Sequence, residues 1–521
     1  MKIREFLPLF IITLFFWCFG TVQSATPKDV LVVGQIAEPK SLDPATITAV
    51  NDFRIVMNIY DGLTRYKDGS LEVEPALAKS WDISKDGTVY TFHLRENITF
   101  HDGTPFNASA VKFNFDRMLN KKHPYHDVTG PFPLSFFFSS VEKVTVVDEY
   151  TVRFQLKEPY APFLSNLAYP TGLIVSPEAV KKYGEDFGRN PVGTGAYKFV
   201  EWESNQRVVV EKNQDYWDGV PKLKAVIFRP ITNSNTRVTE MLSGGLDIMV
   251  ETPPDSLQIF RKKSGFTVYE QAGPHLWFLI LNMKEGPFTD IRMRHAVNYA
   301  INKKAIVENI LKGTATVANS PTPAAFAWAH NDNLEPYPYN PQKAKKLIKE
   351  AGYKGAELTF YITEGGSGML APKAMGTAIQ ADLAKIGLDV KIQTFEWNTF
   401  LSKVNDGLEG KADMAEMAWM TNDPDTLPYL ALRTDAWPDK GGFNSGYYSN
   451  PEVDKLLEKA RRSTNQQKRA EYYKKMQKIV YEDAPWAFIA NWKQNAVSRA
   501  NVKNFKLQPS FFLLLHDVEK Q

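Results

Sequence analysis

The sequence predicts an α/β protein of two or more lobes, one of which carries a β-rich subdomain. Its 521 residues exceed the roughly 250–300 residues at which a single hydrophobic core stops growing, so more than one core is expected. Closely spaced hairpin signals in the first third predict the β-rich part. A β-loop-α-β pattern in the second half predicts parallel strands, because such strands need a long crossover that usually contains a helix.

The first residues are typical of a secretory signal peptide. Lys2 and Arg4 precede an apolar run from Phe6 to Phe19, which is shorter than the about 20 apolar residues of a spanning helix. Small residues follow this run, where a signal peptidase cuts. We expect residues 1–24 to be removed by cleavage after Ser24. The alternative is an uncleaved membrane anchor, but the flanking residues favour a signal peptide.

Cys18 is the only cysteine, and it lies within the predicted signal peptide. The residues before it, Phe15-Phe16-Trp17, lack the small side chains that lipoprotein processing requires, so we expect no lipid anchor. A mature chain without cysteine forms no disulfide and no thiolate metal site. The formal net charge is +3, with both signs interspersed along the chain, and this pattern predicts no nucleic-acid partner.

Three Asp-Gly turns divide the first third of the chain. They are Lys67-Asp68-Gly69, Lys85-Asp86-Gly87 and His101-Asp102-Gly103, and such pairs favour tight hairpins because glycine readily adopts a positive φ. Residues 89–94 alternate as the two faces of a strand do. Asn107 is then a good N-cap for a helix. The region therefore predicts a β-rich subdomain followed by a helix.

Helix and strand signals alternate in the second half. Residues 340–352 carry the N-cap, the first-turn proline and the C-terminal glycine of a helix. A strand (358–362), a helix (372–386) and a second strand (388–392) follow. A last helix is predicted over residues 456–480. The order strand, helix, strand implies that the two strands are parallel.

Two loops follow predicted strands of this half. Gly365-Gly366-Ser367-Gly368 follows the first strand, and Thr421-Asn422-Asp423-Pro424-Asp425 follows a strand predicted from Asp413 to Met420. Ligands of open α/β sheets bind outside the carboxyl ends of the strands. We therefore expect both loops to face one site.

The motifs of exported hydrolases are missing. Gly365-Gly366-Ser367-Gly368 ends in Met369, so it is not a Gly-x-Ser-x-Gly elbow, and neither His-Glu-x-x-His nor a cysteine nucleophile is present. His101 has no second His or carboxylate at ligand spacing. The sequence therefore predicts no catalytic residue, no metal site and no cofactor, and favours a binding protein over an enzyme.

Short motifs recur along the whole mature chain. They are ALAKSWDISKDGTVYTFHLR at 76–95, FHDGTPFNASAVKF at 100–113, NPVGTGAY at 190–197, NQDYW at 213–217, DIRMRHA at 290–296, YNPQKA at 339–344 and FEW at 395–397. In this order they resemble the family-5 extracellular solute-binding proteins, the dipeptide, oligopeptide and nickel receptors of ABC importers. The resemblance implies the α/β, two-lobed periplasmic-binding-protein (Venus flytrap) fold.

The resemblance also implies where the lobes divide. Lobe one is expected over residues 25–270, with an extra subdomain at about 60–185, and lobe two over 274–493. Residues 497–521 are expected to return to lobe one. The chain is expected to cross between the lobes near residues 271–273 and 491–496.

The resemblance implies a function as well. The mature protein is expected to be a periplasmic monomer that captures a peptide or peptide-like solute by lobe closure and delivers it to the transmembrane subunits of an ABC permease. The alternatives are that the same fold binds a nickel chelate, haem or another non-peptide solute, or that it serves as a chemosensory receptor.

The resemblance points to an ammonium-binding position in lobe two. In dipeptide-binding members, an Asp shortly after the Trp of the last lobe-two strand pairs with the ligand's ammonium group. Here Asn422 and Asp423 both match that position, which leaves two alternatives, and Asp423 also suits an ordinary turn before Pro424. Trp419 and Trp397 are candidates for stacking on the ligand.

Other candidate site residues follow from the same comparison. The Arg that holds a ligand carboxylate in those members has no match; Gly366, Ser367 and Gly368 stand there, either as backbone N–H donors to an anion or as a plain connection. Tyr60 and Gln35 are the candidates in lobe one. Two further candidates are Trp437, as a wall of the site, and Arg433, as an anion partner or a surface ion pair.

Overall fold

The computed structural model describes residues 27–366 and 368–521. The predicted signal peptide, with Cys18 and the expected cleavage after Ser24, lies outside the described residues, and so does Ser367. No helix within the described ranges combines the length and the apolar character that crossing a membrane requires.

Strands and helices are numbered in chain order over these ranges. The strands are β1 (Val30–Gln35), β2 (Thr64–Tyr66), β3 (Val73–Pro75), β4 (Ala78–Ile83), β5 (Val89–Leu94), β6 (Val141–Asp148), β7 (Thr151–Leu156), β8 (Tyr197–Glu203), β9 (Arg207–Lys212), β10 (Ala225–Pro230), β11 (Ile248–Val250), β12 (Phe266–Ala272), β13 (His275–Leu281), β14 (Ala315–Val317), β15 (Leu358–Thr363), β16 (Val390–Phe395), β17 (Met414–Met420), β18 (Trp486–Arg499), β19 (Val502–Lys503) and β20 (Glu519–Lys520). The α-helices are α1 (Val50–Ile59), α2 (Ala108–Leu119), α3 (His126–Thr129), α4 (Phe163–Leu167), α5 (Pro177–Tyr183), α6 (Ser234–Ser243), α7 (Pro254–Lys262), α8 (Ile291–Ala300), α9 (Lys303–Ala305), α10 (Pro341–Ala351), α11 (Pro372–Ala384), α12 (Trp397–Asn405), α13 (Thr426–Ala431), α14 (Pro451–Arg462) and α15 (Gln466–Asp483).

One mixed sheet runs through both lobes. Its strand order is β16-β15-β17-β13-β18-β11-β1-β10-β9-β8, and β12 and β14 also pair with β18. In lobe one, β1 lies parallel to β10 and β11. In lobe two, β15 lies parallel to β16 and β17. The parallel strands that the β-loop-α-β pattern predicts are therefore confirmed.

The long strand β18 connects the two halves of this sheet. Its first part pairs with β13 in lobe two, and its second part pairs with β12 in lobe one. Gly273 and Pro274 separate β12 from β13. A side chain on Gly273 has no space, since its Cβ would lie 2.5 Å from the Phe511 ring. The two crossings between the lobes are thus the connection from β12 to β13 and the middle of β18, which lie side by side.

The extra subdomain of lobe one is an antiparallel sheet with the order β4-β5-β7-β6. Phe92, Phe154, Phe115 and Phe163 pack in one hydrophobic cluster, and Phe154 meets Phe115 edge to face. Asn107 caps α2, because its side chain accepts hydrogen bonds from two backbone N–H groups of the first turn. The β-rich subdomain and the helix after it are thus confirmed.

Each lobe has its own hydrophobic core. In lobe one, Leu31 and Val33 of β1 share a cluster with Phe512 near the C-terminus. In lobe two, Trp277 and Leu279 of β13 belong to a separate cluster with residues of α8 and α11. Separate cores allow the lobes to move against each other as rigid units.

Two helices predicted for lobe two can be compared with the structure. Asn340 caps α10 by accepting from the N–H of Lys343, and Gly352 ends it with φ 71°, so this prediction is confirmed. The single helix predicted over 456–480 is wrong, because α14 and α15 are two helices. Asn465 starts the second one, since its side chain accepts from the N–H of Lys468.

Candidate functional site

A cavity of about 520 Å³ lies between the two lobes. Residues that follow β1, β11 and β17 line it, as expected for ligands at the carboxyl ends of strands. The start of α1 also reaches it, through residues 48–51. Aromatic side chains dominate the wall: Phe136, Phe137, Tyr169, Trp397, Trp419, Phe443, Trp492 and Phe511. Such a surface suits apolar and stacking contacts.

The glycine loop after β15 shapes one side of the cavity. A Cβ on Gly366 would lie 2.3 Å from the Trp397 ring, so glycine is needed for the backbone to approach this ring closely. Trp397 in turn stacks on Phe400, with 5.9 Å between ring centroids. Gly368 has φ +75°, a conformation that favours glycine. The loop therefore positions Trp397 against the cavity.

His275 begins β13 and lines the same cavity. Its Nε2 lies 2.8 Å from the carbonyl oxygen of Gly368; because a carbonyl only accepts, Nε2 carries the proton. Burial lowers the pKa of this imidazole to about 4, so it is neutral near pH 7. Its Nδ1 is then a lone-pair acceptor, and it has no hydrogen-bond partner among the described residues.

Of the two alternatives for the ammonium position, Asn422 lines the cavity. Its Nδ2 donates to Oδ1 of Asn166 in lobe one at 2.7 Å, and its Oδ1 accepts from the Thr426 hydroxyl at 3.1 Å. Both asparagines are buried. The side chain therefore makes a hydrogen bond across the cleft instead of presenting a charge.

Asp423, the other alternative, is not among the residues that line this cavity. It lines a second pocket, which shares Asn422 with the first, and its Oδ1 accepts from Nη2 of Arg469 at 2.6 Å. Both partners are buried. A buried guanidinium needs a counter-ion, and this carboxylate supplies it for Arg469 of α15.

Asp425 has a similar structural role. Its Oδ2 lies 3.1 Å from Nη2 of Arg461 in α14, whose guanidinium also lies over the Tyr429 ring at 3.2 Å. Burial raises the pKa of Asp425 to about 6, although the charge of Arg461 opposes this shift. The two carboxylates of the loop after β17 are thus counter-ions of two arginines of lobe two.

Four further candidates lie outside the set of described residues that line the cavity. Tyr60 is buried, and its hydroxyl donates to the carbonyl of Leu42 at 2.9 Å. Trp437 donates its indole N–H to the carbonyl of Tyr448. Arg433 pairs with Asp435 and Glu458. Gln35 is buried at the end of β1, next to the lining residue Ile36.

The sequence reasoning missed most of the lobe-one wall. Phe136, Tyr169 and Glu251 line the cavity from segments far apart in the chain, and no local motif marks them. Glu251 follows β11 with φ 51°, and its Oε1 accepts from Nη1 of the buried Arg54 at 2.7 Å. Positive φ at a non-glycine residue is not visible in a sequence.

The lobes also touch beyond the cavity. The backbone N–H of Ala161 in lobe one donates to the carbonyl of Arg461 in lobe two at 2.8 Å. The neighbouring Arg462 pairs with Glu158 at 2.6 Å. Together with the bond between Asn422 and Asn166, these contacts form what we call the clasp. The structure is therefore in a closed arrangement around its cavity.

The described ranges contain no group of three or more His, Cys, Asp or Glu side chains that could hold a metal ion. What the fold and the cleft do define is a class of protein, a two-lobed receptor that encloses a solute between its lobes. The family model for bacterial extracellular solute-binding proteins, family 5 Middle, matches residues 72–440, and the chain belongs to this family. The predicted family and fold are thereby confirmed.

Similar proteins cover almost the whole chain. Di/tripeptide-binding protein 2 of Pseudomonas aeruginosa (strain UCBPP-PA14) is 31% identical over 529 residues, 98% of this chain and 98% of that protein. Heme-binding protein A of Haemophilus influenzae (strain ATCC 51907 / DSM 11121 / KW20 / Rd) is 34% identical over 510 residues, 94% and 92%. The solved structure of HbpA2 from Haemophilus parasuis is 29% identical and matches with a TM-score of 0.86 over 94% of this chain and 100% of that chain.

Proposed function

We propose that this protein is the extracytoplasmic substrate-binding component of an ABC importer, and that it captures a short peptide or peptide-like solute by lobe closure. The observation that carries the proposal is the aromatic cavity of about 520 Å³ between the lobes. Cavities of roughly 300–1,000 Å³ suit small organic ligands. A curated relative at 31% identity is a di/tripeptide-binding protein, which favours peptides.

The proposal extends to partners and location. The loaded receptor delivers its solute to the transmembrane subunits of a permease, acts as a monomer without catalysis, and binds no nucleic acid. It works in the periplasm after loss of residues 1–24, without a lipid on Cys18. Lobe one spans residues 25–270, with its extra subdomain at about 60–185, and lobe two spans 274–493. Residues 497–521 complete lobe one, where Phe512 joins the core.

The alternatives keep the same fold and change the solute. The relative named heme-binding protein A makes haem one alternative; nickel chelates, other non-peptide solutes and a chemosensory role are the others. Each predicts a different compound in the cleft, so the compound itself decides between them.

Peptides are expected to stabilise the mature receptor against heat. A ligand that binds only the folded state adds RT ln(1 + [L]/Kd), about 1.4 kcal/mol at a tenfold excess over Kd. Thermal melting should be measured with di-, tri- and tetrapeptides, glutathione, oligosaccharides, haem and a nickel–histidine chelate. Native mass spectrometry of protein purified without refolding should identify any solute that is retained.

A peptide hit supports the proposal. If only haem or only the nickel chelate raises the melting temperature, the peptide assignment is wrong while the receptor assignment stands. Turnover of the bound compound would contradict a purely binding function.

Gly366→Ala is expected to weaken peptide binding about threefold. The added Cβ would lie 2.3 Å from the Trp397 ring, so this ring must move within the cavity wall. The matched control is Gly365→Ala, because a Cβ there has no atom within 4 Å. Titration calorimetry of both variants tests the prediction, and equal affinities would show that Trp397 does not contact the ligand.

A further inference from the structure

The charges around the interlobe cavity are paired within the protein. Glu251 is the only carboxylate among the described lining residues, and no lysine or arginine is among them. Arg54 neutralises Glu251 through the contact at 2.7 Å. Asp423 is paired with Arg469 outside this cavity. A charged group of a ligand would therefore meet no free counter-charge, and burying an unpaired charge is strongly unfavourable.

Two hydrogen-bond acceptors of the cavity have no donor among the described residues. They are Oδ1 of Asn51 and Nδ1 of His275, and both residues line the cavity. His275 is only 1% exposed, and its proton is held on Nε2 by the carbonyl of Gly368. A buried acceptor without a donor costs free energy, so these atoms require an N–H or O–H group from outside the protein.

The cavity also offers donors at the start of α1. The N-cap position is Ala49, which has no side-chain oxygen to accept from the first turn. The first N–H groups of a helix have no partner within the helix. Because residues 48–51 line the cavity, these N–H groups can donate hydrogen bonds to a carbonyl oxygen of the solute.

We propose that the cavity selects neutral amide groups of its ligand and does not hold the ligand's ammonium or carboxylate. This inference rests on the peptide-binding function proposed above and deepens it. N–H groups of the ligand reach Asn51 and His275, its carbonyl oxygens face the start of α1, and its apolar side chains lie on the aromatic wall. The ligands are thus peptides whose termini are blocked or lie outside the cavity.

Capped and free forms of one peptide test the inference. A library of apolar tripeptides is screened by thermal melting, in both the free and the doubly capped form. The best binder is then made as the free, N-acetylated, C-amidated and doubly capped peptide. Titration calorimetry is expected to give affinities within threefold of one another, or tighter binding of the doubly capped form.

Three other results would contradict the inference, and each one shows which part of it is wrong. A loss of more than tenfold on acetylation means that the ammonium is held. A loss of more than tenfold on amidation means that a carboxylate is held, with the start of α1 as its site. If no peptide binds in any form, the peptide-binding function falls and the inference falls with it.

Variants at Asn51 add a second readout. Asn51→Ala should weaken the doubly capped peptide more than tenfold, because an acceptor is lost. Asn51→Asp keeps the size of the side chain and adds a carboxylate. This variant should therefore bind the peptide with a free N-terminal amine more tightly than the N-acetylated peptide. The control is Asn398→Ala. Asn398 is exposed and is the second residue of α12, as Asn51 is the second residue of α1. Unchanged affinities in both Asn51 variants would contradict the assignment.

Discussion

Asp423→Ala is expected to lower the free energy of unfolding by about 3–5 kcal/mol, because it leaves a buried guanidinium without its counter-ion. Arg469 lies 2.6 Å from this carboxylate, and both side chains are less than 10% exposed. The affinity of the folded receptor for its ligand should stay nearly unchanged, since Asp423 lies outside the interlobe cavity. Urea denaturation without ligand and calorimetry with ligand measure the two quantities separately.

Two further variants make this expectation specific. Asp435→Ala removes a carboxylate from an exposed ion pair with Arg433, and such pairs contribute less than about 1 kcal/mol. The double variant Asp423→Leu/Arg469→Met replaces the buried pair with apolar groups and should recover most of the lost stability. Normal stability of Asp423→Ala combined with a tenfold loss of ligand affinity would instead support the ammonium-binding role that the family resemblance implies.

Local chemistry explains why some elements could be predicted from the sequence. The bounds of α10 follow from Asn340 and Gly352, whose capping roles depend on neighbouring residues only. The β-rich subdomain follows from turn residues such as Gly87, which has φ 72°. The break between α14 and α15 was missed although residues 461–469 contain no apolar side chain and Asn465 is a suitable cap for the second helix.

The candidate site was predictable only where a strand end marks it. Trp419 lies one residue before the end of β17 and Trp397 follows β16, and both line the cavity. The pairing of Asp423 with Arg469 could not be predicted, because Arg469 lies 46 residues further along the chain. The opposite wall brings Phe136, Tyr169 and other residues together from distant segments. Tertiary packing alone creates that proximity.

The clasp relates the cavity to the closed arrangement of the lobes. Asn166 is fully buried, and its Nδ2 donates to the carbonyl of Phe137, which lines the cavity. Its Oδ1 accepts from Asn422 of lobe two. In an open receptor, water would satisfy both amides. In the closed receptor, Nδ2 of Asn422 donates to Oδ1 of Asn166, so this hydrogen bond joins the lobes without any charge.

Asn422→Ala is therefore expected to weaken every ligand that requires closure, by roughly tenfold or more. Leaving Oδ1 of Asn166 buried without a donor costs about 1–3 kcal/mol in the closed state, and 1.4 kcal/mol is tenfold in affinity. Small-angle scattering should show a larger radius for the unliganded variant. Glu158→Gln, which removes only the exposed contact to Arg462, should change affinity less than threefold. The affinity losses of Asn166→Ala and Asn422→Ala should be non-additive in the double variant, because both substitutions break the same hydrogen bond. Additive losses together with an unchanged radius would mean that Asn422 acts on the ligand directly and not through closure.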